Sequence, residues 1–354
     1  MKKSILVTGG AGFIGSNFIN YFLKKYHPRT NCYDSKYKKY TNYSIVNLDK
    51  LTYAGNIDNL KDIDSTANYH FVKGCINDKN LVSQILKYYD INIIINFAAE
   101  SHVDNSIANP NIFVETNVLG TANLLSCAKN FWQKYGFKNK LFVQISTDEV
   151  YGSLSEFDDD AKFTEETPLS PHSPYAASKA GADLLVQSYF DTYKFPTIIT
   201  RCSNNYGPKQ YPEKLIPLMI KNALQDKKLP VYGDGKNVRD WIFVEDHCEA
   251  IIKVIEKGKV GEVYNIGANC EKKNIEIVEL ILDYLDKPYS LIEYVEDRLG
   301  HDRRYAVDSS KIADSLGWKA SDHNFYFHFI NTIDWYVRNQ NWAVILCEKL
   351  FKQQ

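Results

Sequence analysis

Two pairs of residues in this sequence have the types and the spacing to move protons. Tyr175 and Lys179, in "PYAASKAGAD", stand four apart and therefore share one face of a helix. A tyrosine is a poor base at its ordinary pKa of about 10. A neighbouring ammonium favours the phenolate, lowers that pKa, and can also hold ribose hydroxyls. Alone, Y-x-x-x-K is equally compatible with a purely structural helix. The second pair is Asp148 and Glu149 in "ISTDEVYG". Carboxylates this close resist joint ionisation, so one stays protonated as an acid while the other acts as a base. A base for a carbon acid and an acid for a leaving hydroxyl are the equipment for eliminating water. The competing reading is a solvated acidic turn. Thr147, at the end of the strand-like "LFVQIS", adds a hydroxyl able to bond a substrate oxygen beside Tyr175.

These groups need a platform, and a glycine turn suggests which. "VTGGAGFIGSNF" spaces Gly9, Gly12 and Gly15 three apart between the apolar run "SILV" and the helical pattern "FINYFLKK". Strand, glycine turn and helix in that order form the context of dinucleotide binding. Glycine leaves no Cβ between the backbone and a pyrophosphate, and the following helix N-terminus receives its charge. The spacing is not the commoner G-x-G-x-x-G, and a tight turn without a ligand is the alternative. Asp49 closes the second strand-like run. There an acid accepts hydrogen bonds from the adenosine ribose and repels a 2′-phosphate, which favours NAD over NADP; otherwise it is a turn residue.

Strand-like runs at 43–49, 69–74, 91–99, 140–147 and 197–203 alternate with helical patterns near 79–89, 111–130 and 175–193. The runs are apolar almost throughout, as in a parallel sheet covered on both faces. The expected class is α/β, a doubly wound (Rossmann) parallel sheet with a smaller C-terminal substrate-binding lobe. Residues 1–203 would form the nucleotide domain, with 240–257 returning to the large sheet. Residues 204–330 would form most of the smaller lobe, and 331–354 a helical extension. "HPRTNCYDSKYKKYTN" (27–42) is longer than a helix–strand link needs and reads as a surface insertion.

Composition narrows the partners. With 354 residues and a formal net charge of −1, the chain has no general attraction for nucleic acid or anionic membranes. No apolar run approaches the roughly 18 residues of a membrane span, and the N-terminus enters a strand with no cleavable signal. Seven cysteines without C-x-x-C spacing favour a reducing cytoplasm over a disulfide framework. His323 and His328 lack accompanying ligands, so no metal site is expected.

With these motifs, "DKLTYAGN", "NFAAESHVDNSI", "RCSNNYGP", "EKLIPLMI", "VRDWIFVEDH" and "DRLGHDRRYAVD", the chain resembles the dTDP-glucose 4,6-dehydratase family of the extended short-chain dehydrogenase/reductase superfamily. The resemblance runs from Ser4 to about Trp318. It implies a lyase with tightly bound NAD that is regenerated at each turnover. Tyr175 would act at the sugar 4-hydroxyl with Lys179 and Thr147, Glu149 would take the C5 proton, and Asp148 would protonate the departing C6 hydroxyl. NAD contacts would come from Gly9, Gly12, Phe13, Ile14, Gly15, Asp49, Lys50 and Thr52 in the first two βα units. Ile76, Ala98, Ala99, Thr116, Tyr175, Lys179 and Asn205 would complete them. Ser101, Thr147, Asn204, Lys214, Leu215, Pro230, Tyr232, Arg239, Asn274, Arg298 and His301 would meet the sugar nucleotide. Of these, Arg239, Arg298 and Lys214 suit a diphosphate.

Three departures stand out: Cys75 where the family usually has Asp, Leu299 in place of a proline, and the 27–42 insertion. UDP-glucose 4,6-dehydratases share every catalytic residue, whereas 4-epimerases lack the Asp–Glu pair after the threonine. The resemblance also implies a homodimer, because helices at 111–130 and 175–193 present apolar stripes for an isologous four-helix contact.

Overall fold

A computed structural model describes residues 3–26, 43–63, 68–158, 160–321, 325–340 and 342. The strands in chain order are β1 (Lys3–Thr8), β2 (Tyr43–Asp49), β3 (Tyr69–Lys73), β4 (Ile91–Asn96), β5 (Leu141–Thr147), β6 (Thr197–Cys202), β7 (Asn204–Tyr206), β8 (Leu229–Tyr232), β9 (Val238–Phe243), β10 (Val263–Ile266), β11 (Glu271–Lys273) and β12 (Ile292–Val295). The large sheet runs β3-β2-β1-β4-β5-β6-β10, with every neighbouring pair parallel. The order reverses between β1 and β4, which is where ligands bind in such sheets.

The strand sequences explain why both faces are covered. Side chains alternate along a strand, so a parallel sheet with helices on each face needs apolar residues at every position. Ile5, Val7, Ile45, Ile93, Ile95, Val143 and Ile145 lie in one core, and Leu6, Val46, Leu48, Ile94, Phe142 and Ile199 lie in the other. The helices are α1 (Phe13–Tyr26), α2 (Lys79–Tyr88), α3 (Val103–Ala108), α4 (Pro110–Phe113), α5 (Gly120–Trp132), α6 (Pro174–Tyr193), α7 (Leu215–Leu224), α8 (Val244–Lys257), α9 (Asn274–Tyr284), α10 (Ser310–Leu316) and α11 (Phe325–Arg338). Helices α1 and α8 pack together over the first core, and α2, α5 and α6 over the second. None of the described helices is long and apolar enough to cross a membrane.

Two elements differ from the sequence reading. Helix α8 does return to the large sheet, but β9 does not: it pairs with β7 and β11 in a separate three-stranded sheet, and β10 becomes the seventh large-sheet strand. Both β9 and β10 are short apolar runs, and only their long-range partners distinguish them. The helix expected at 111–130 is divided into α4, a π-helical segment at Val114–Leu119, and α5. Inside the widened turn, buried Asn117 accepts from Glu100 N at 2.9 Å and donates to Glu100 O at 3.0 Å and Ser178 Oγ at 2.8 Å. One asparagine thus links the end of β4 to α6.

The smaller lobe joins the β11-β9-β7 and β12-β8 sheets to α7, α9 and α11 through a core that includes Met219, Ile220, Ile277, Ile281, Phe329 and Ile333. The expected C-terminal extension begins as α11, earlier than 331; residues 343–354 and the 27–42 insertion lie outside the described residues.

The β1–α1 turn is set by backbone approach. A Cβ on Gly15 would lie 2.4 Å from Gly9 O and 2.9 Å from Gly10 Cα, atoms that no side-chain rotation can move. Gly15→Ala should therefore destabilise the fold by roughly 1–3 kcal/mol. Urea unfolding measures this, and an unchanged midpoint would refute the tight turn.

Candidate active site

Strand β5 ends at Thr147, whose extended backbone leads into a single 3-10 turn, Asp148–Tyr151. The threonine caps that turn: its Oγ1 accepts from Glu149 N at 3.2 Å and donates to Asp148 Oδ1 at 3.2 Å. The cap turns two successive carboxylates into the cleft above the strand ends. Their surroundings differ in sign. Asp148 is buried, and its Oδ2 has no partner. Burial first, then the charges of Glu149 and Asp240, hold its carboxyl well above the usual range. Glu149 is also raised by burial, but Arg298, Arg239 and Lys214 all pull it back toward the carboxylate. Burial thus biases Asp148 toward its protonated form, while its neighbour is drawn toward the carboxylate by three cations, the inequality that an acid–base pair requires.

Helix α6 supplies the tyrosine and lysine. Ser173 Oγ accepts from Ala176 N at 3.1 Å and Pro174 opens the first turn, so the helix starts one residue before Tyr175. Tyr175 and Lys179 are both buried, one turn apart. Burial, not the ammonium one turn away, dominates the phenol. Tyr175 is held well above its ordinary value by burial, then by the Glu149 and Cys202 charges, against a hydrogen bond with Thr147. Lys179 Nζ instead donates to Ile145 O at 2.6 Å, and burial lowers its own pKa.

A continuous cleft runs from the glycine turn to these residues. Gly9, Gly12, Phe13, Ile14, Gly15, Asp49, Lys50, Thr52, Ile76, Ala98, Ala99, Thr116 and Asn205 line it together with Thr147, Asp148, Glu149, Tyr175 and Lys179. So do Cys75, Ser101, Asn204 and Lys214.

The cleft fits a dinucleotide. Gly9 has φ +69° and a Cβ there would meet Ala98 N at 2.7 Å, whereas a Cβ on Gly12 would meet only Gly9 O, at 3.3 Å. The turn thus offers bare backbone beside the first residues of α1. Asp49 Oδ2 accepts from Ala11 N at 2.9 Å and Oδ1 from Leu51 N at 2.7 Å, which fixes the carboxylate at the β2 end. Among the described residues no cluster of His, Cys, Asp and Glu could hold a metal ion. His328 stacks on Phe243, with ring centroids 4.2 Å apart.

The remaining expected residues lie outside this cleft, in the smaller lobe: Leu215 opens α7, Pro230 and Tyr232 are on β8, Arg239 on β9, Asn274 opens α9, and Arg298 and His301 follow β12. Of these, Arg239 and Arg298 act electrostatically on Glu149. Tyr232 Oη donates to Asp104 Oδ2 at 3.3 Å, Arg298 lies 3.8 Å from Asp104 Oδ1, and the Tyr232 and His301 rings meet edge to face. Lys214 Nζ donates to Ser101 O at 2.7 Å, joining the two lobes.

Sequence reasoning missed several polar residues that line the cleft, among them Glu100, Cys202, Gln210 and Glu213. Glu100 and Cys202 stand at or just beyond the C-terminal ends of β4 and β6, where a parallel sheet builds its sites, and that rule alone would have found them. Glu213 accepts from Tyr53 Oη at 3.1 Å.

Residues 6–324 match the GDP-mannose 4,6 dehydratase family model. A dTDP-glucose 4,6-dehydratase of Xanthomonas campestris pv. campestris (strain B100) is 49% identical over 96% of this chain and 94% of its own. The crystal structure of dTDP-glucose 4,6-dehydratase from Bacillus anthracis in complex with NAD has a TM-score of 0.84 and 50% identity, covering 97% of this chain and 99% of that one. The Streptomyces venezuelae dTDP-glucose 4,6-dehydratase, also solved with NAD, gives a TM-score of 0.87 at 44% identity, covering 97% and 99%. An identity near one half over nearly every residue, joined to a cleft that fits NAD and ends in an acid–base carboxylate pair, makes this chain a member of the dTDP-glucose 4,6-dehydratase family.

Proposed function

We propose that the protein converts dTDP-glucose to dTDP-4-keto-6-deoxyglucose and water. The observation that carries this reading is the unequal pair beside Tyr175: burial pushes the Asp148 carboxyl well up, whereas the charges of Arg298, Arg239 and Lys214 pull Glu149 down. A 4-epimerase needs only the Thr147, Tyr175 and Lys179 set and leaves both carboxylates idle.

The chemistry NAD supplies when bound is a hydride acceptor for C4, a hydride donor for C6 in its reduced form, and a positive ring in its oxidised form. Tyr175 acts as the phenolate, taking the proton of the sugar 4-hydroxyl while Thr147 hydrogen-bonds the same oxygen. Because burial raises the Tyr175 pKa, forming that phenolate depends on positive charge arriving nearby. Lys179 holds ribose hydroxyls and contributes part of that charge. Once C4 is a ketone, the C5 proton is acidic enough for an ordinary carboxylate, and Glu149 removes it. Asp148 donates its proton to the departing C6 hydroxyl, which leaves as water, and Glu149 returns a proton to C5.

On this reading the large sheet binds NAD, and the smaller lobe grips the nucleotide sugar through Ser101, Asn204, Lys214, Leu215, Pro230, Tyr232, Asn274 and His301, with Arg239 and Arg298 on the diphosphate. A cytoplasmic location belongs to the same reading, in keeping with five free thiols among the described residues. So does a homodimer: Val114, Leu119 and Leu184 leave apolar side chains exposed on the α4–α5 segment and α6.

Three measurements test this. The alkaline absorbance of a 4-keto-6-deoxy sugar should develop with dTDP-glucose much faster than with UDP-glucose; the reverse order would assign the other nucleotide. Sedimentation should give a dimer at micromolar concentration, and a lone monomer would reject the α5–α6 contact. Glu149→Gln should lower turnover roughly 100- to 10,000-fold. Acid quench of that variant should yield a 4-keto sugar that keeps its 6-hydroxyl, whereas Tyr175→Phe should yield only unchanged substrate. Unchanged substrate from both variants would refute this division of labour.

A further inference from the structure

A chain of contacts runs from a half-exposed histidine, absent from the roles above, to Arg239. His172 lies three residues before Tyr175, in the loop that feeds α6. Its Nδ1 is 2.5 Å from Asp302 Oδ1. Tyr305 Oη donates to the other oxygen, Asp302 Oδ2, at 2.5 Å. A carboxylate only accepts, so both neighbours donate to it. The Tyr305 ring lies beneath the Arg239 guanidinium, 4.3 Å from centroid to Cζ. Arg239 Nη2 donates to Asp302 O at 2.9 Å, and Nη1 to Val238 O at 2.8 Å. Asp302 thus binds the α6 loop by its side chain and Arg239 by its backbone.

The same loop is fixed to the reacting turn. Ser170 N donates to Val150 O at 3.0 Å, and a Cβ on Gly152 would strike Ser170 O at 2.4 Å. Gly300, with φ +62°, packs against His172 O so that a Cβ there would lie 3.2 Å away. The carboxylate turn, the start of α6 and the smaller lobe therefore meet at His172.

We propose that His172 and Asp302 are positioning residues: their bond holds Arg239, through Tyr305 and the Asp302 carbonyl, at a fixed place relative to Asp148, Glu149 and Tyr175. The grip on the diphosphate is thereby registered to the reacting end of the sugar. Neither residue touches substrate. The inference rests on the reading that Arg239 meets the diphosphate. The bond spans 130 positions of sequence, so it is a tertiary device that joins the lobes.

The test is calorimetric titration of dTDP into the NAD-loaded protein, with kcat and KM for dTDP-glucose measured alongside. His172→Ala should weaken dTDP binding roughly three- to tenfold, the range expected for losing a hydrogen bond from a half-exposed donor to a buried carboxylate. KM should rise by the same factor, and by more than kcat falls. His172→Asn should recover most of the affinity, because the amide Nδ2–H can donate from the place of the ring Nδ1–H. Tyr305→Phe, which keeps the ring under Arg239 but loses the bond to Asp302, should also weaken dTDP binding. His172→Ala binding dTDP as tightly as the unaltered protein would overturn the proposal. So would equal losses in His172→Ala and His172→Asn, since the ring would then act only as filler. Failure of the unaltered protein to bind dTDP would instead overturn the function on which the proposal rests.

Discussion

The site depends on how one hydroxyl distributes one proton. Thr147 Oγ1 caps the turn that carries both carboxylates, donates to Asp148, and is hydrogen-bonded with Tyr175. A hydroxyl has a single proton and two lone pairs, so it can donate to Asp148 or to a tyrosine phenolate, but not to both. While Tyr175 is neutral, the Thr147 proton favours Asp148. On the proposed reading, a Tyr175 phenolate draws the hydroxyl away and Asp148 keeps its own proton more tightly. Once Tyr175 has taken the 4-hydroxyl proton, Thr147 turns back to Asp148, which lowers the Asp148 pKa and eases release of its proton in the elimination. The strand end does more than place three side chains; it makes their protonation states depend on one another.

That arrangement opposes stability. Asp148, Asp240, Arg239 and Lys179 are buried charged or ionisable groups, and burial costs free energy unless partners compensate. Elsewhere the fold compensates: Asp183 Oδ2 accepts from Arg201 Nε at 3.0 Å, and Arg201 also reaches the Tyr151 hydroxyl at 3.0 Å. In the cleft Asp148 Oδ2 stays without a partner. The surrounding sheet, apolar on both faces, bears this cost, which is one physical reason the carboxylates sit on a rigid strand end and not on a free loop.

What was legible in the sequence was local. Runs apolar at most positions read as strands covered on both faces, and β2 spans the predicted 43–49. Glycine spacing identified the β1–α1 turn because backbone approach leaves no room for other residues. What was not legible depended on distant partners. Nothing between 111 and 130 marks a π segment, because its cause is Asn117 bonding Glu100 and Ser178. Nothing in "RDWIFVED" tells that β9 joins a small sheet. The Tyr175–Lys179 spacing was read correctly as one helix face, but the burial and the Glu149 charge that raise the tyrosine pKa come from the folded cleft and are not written in that spacing. The 27–42 insertion stays a sequence feature only.

The three cations that meet Glu149 also explain how substrate could complete the site. Arg298, Arg239 and Lys214 hold the Glu149 pKa below what burial alone would give. On the proposed reading the same groups receive the diphosphate, and its negative charge neutralises part of theirs. Their pull on Glu149 then weakens and its pKa rises, so the carboxylate becomes a stronger base only when the nucleotide is in place. Covering the cleft removes water and strengthens the remaining charge interactions. On that reading the smaller lobe serves two functions with one set of side chains: selecting the nucleotide sugar by its charge, and setting the basicity of a residue on the other lobe.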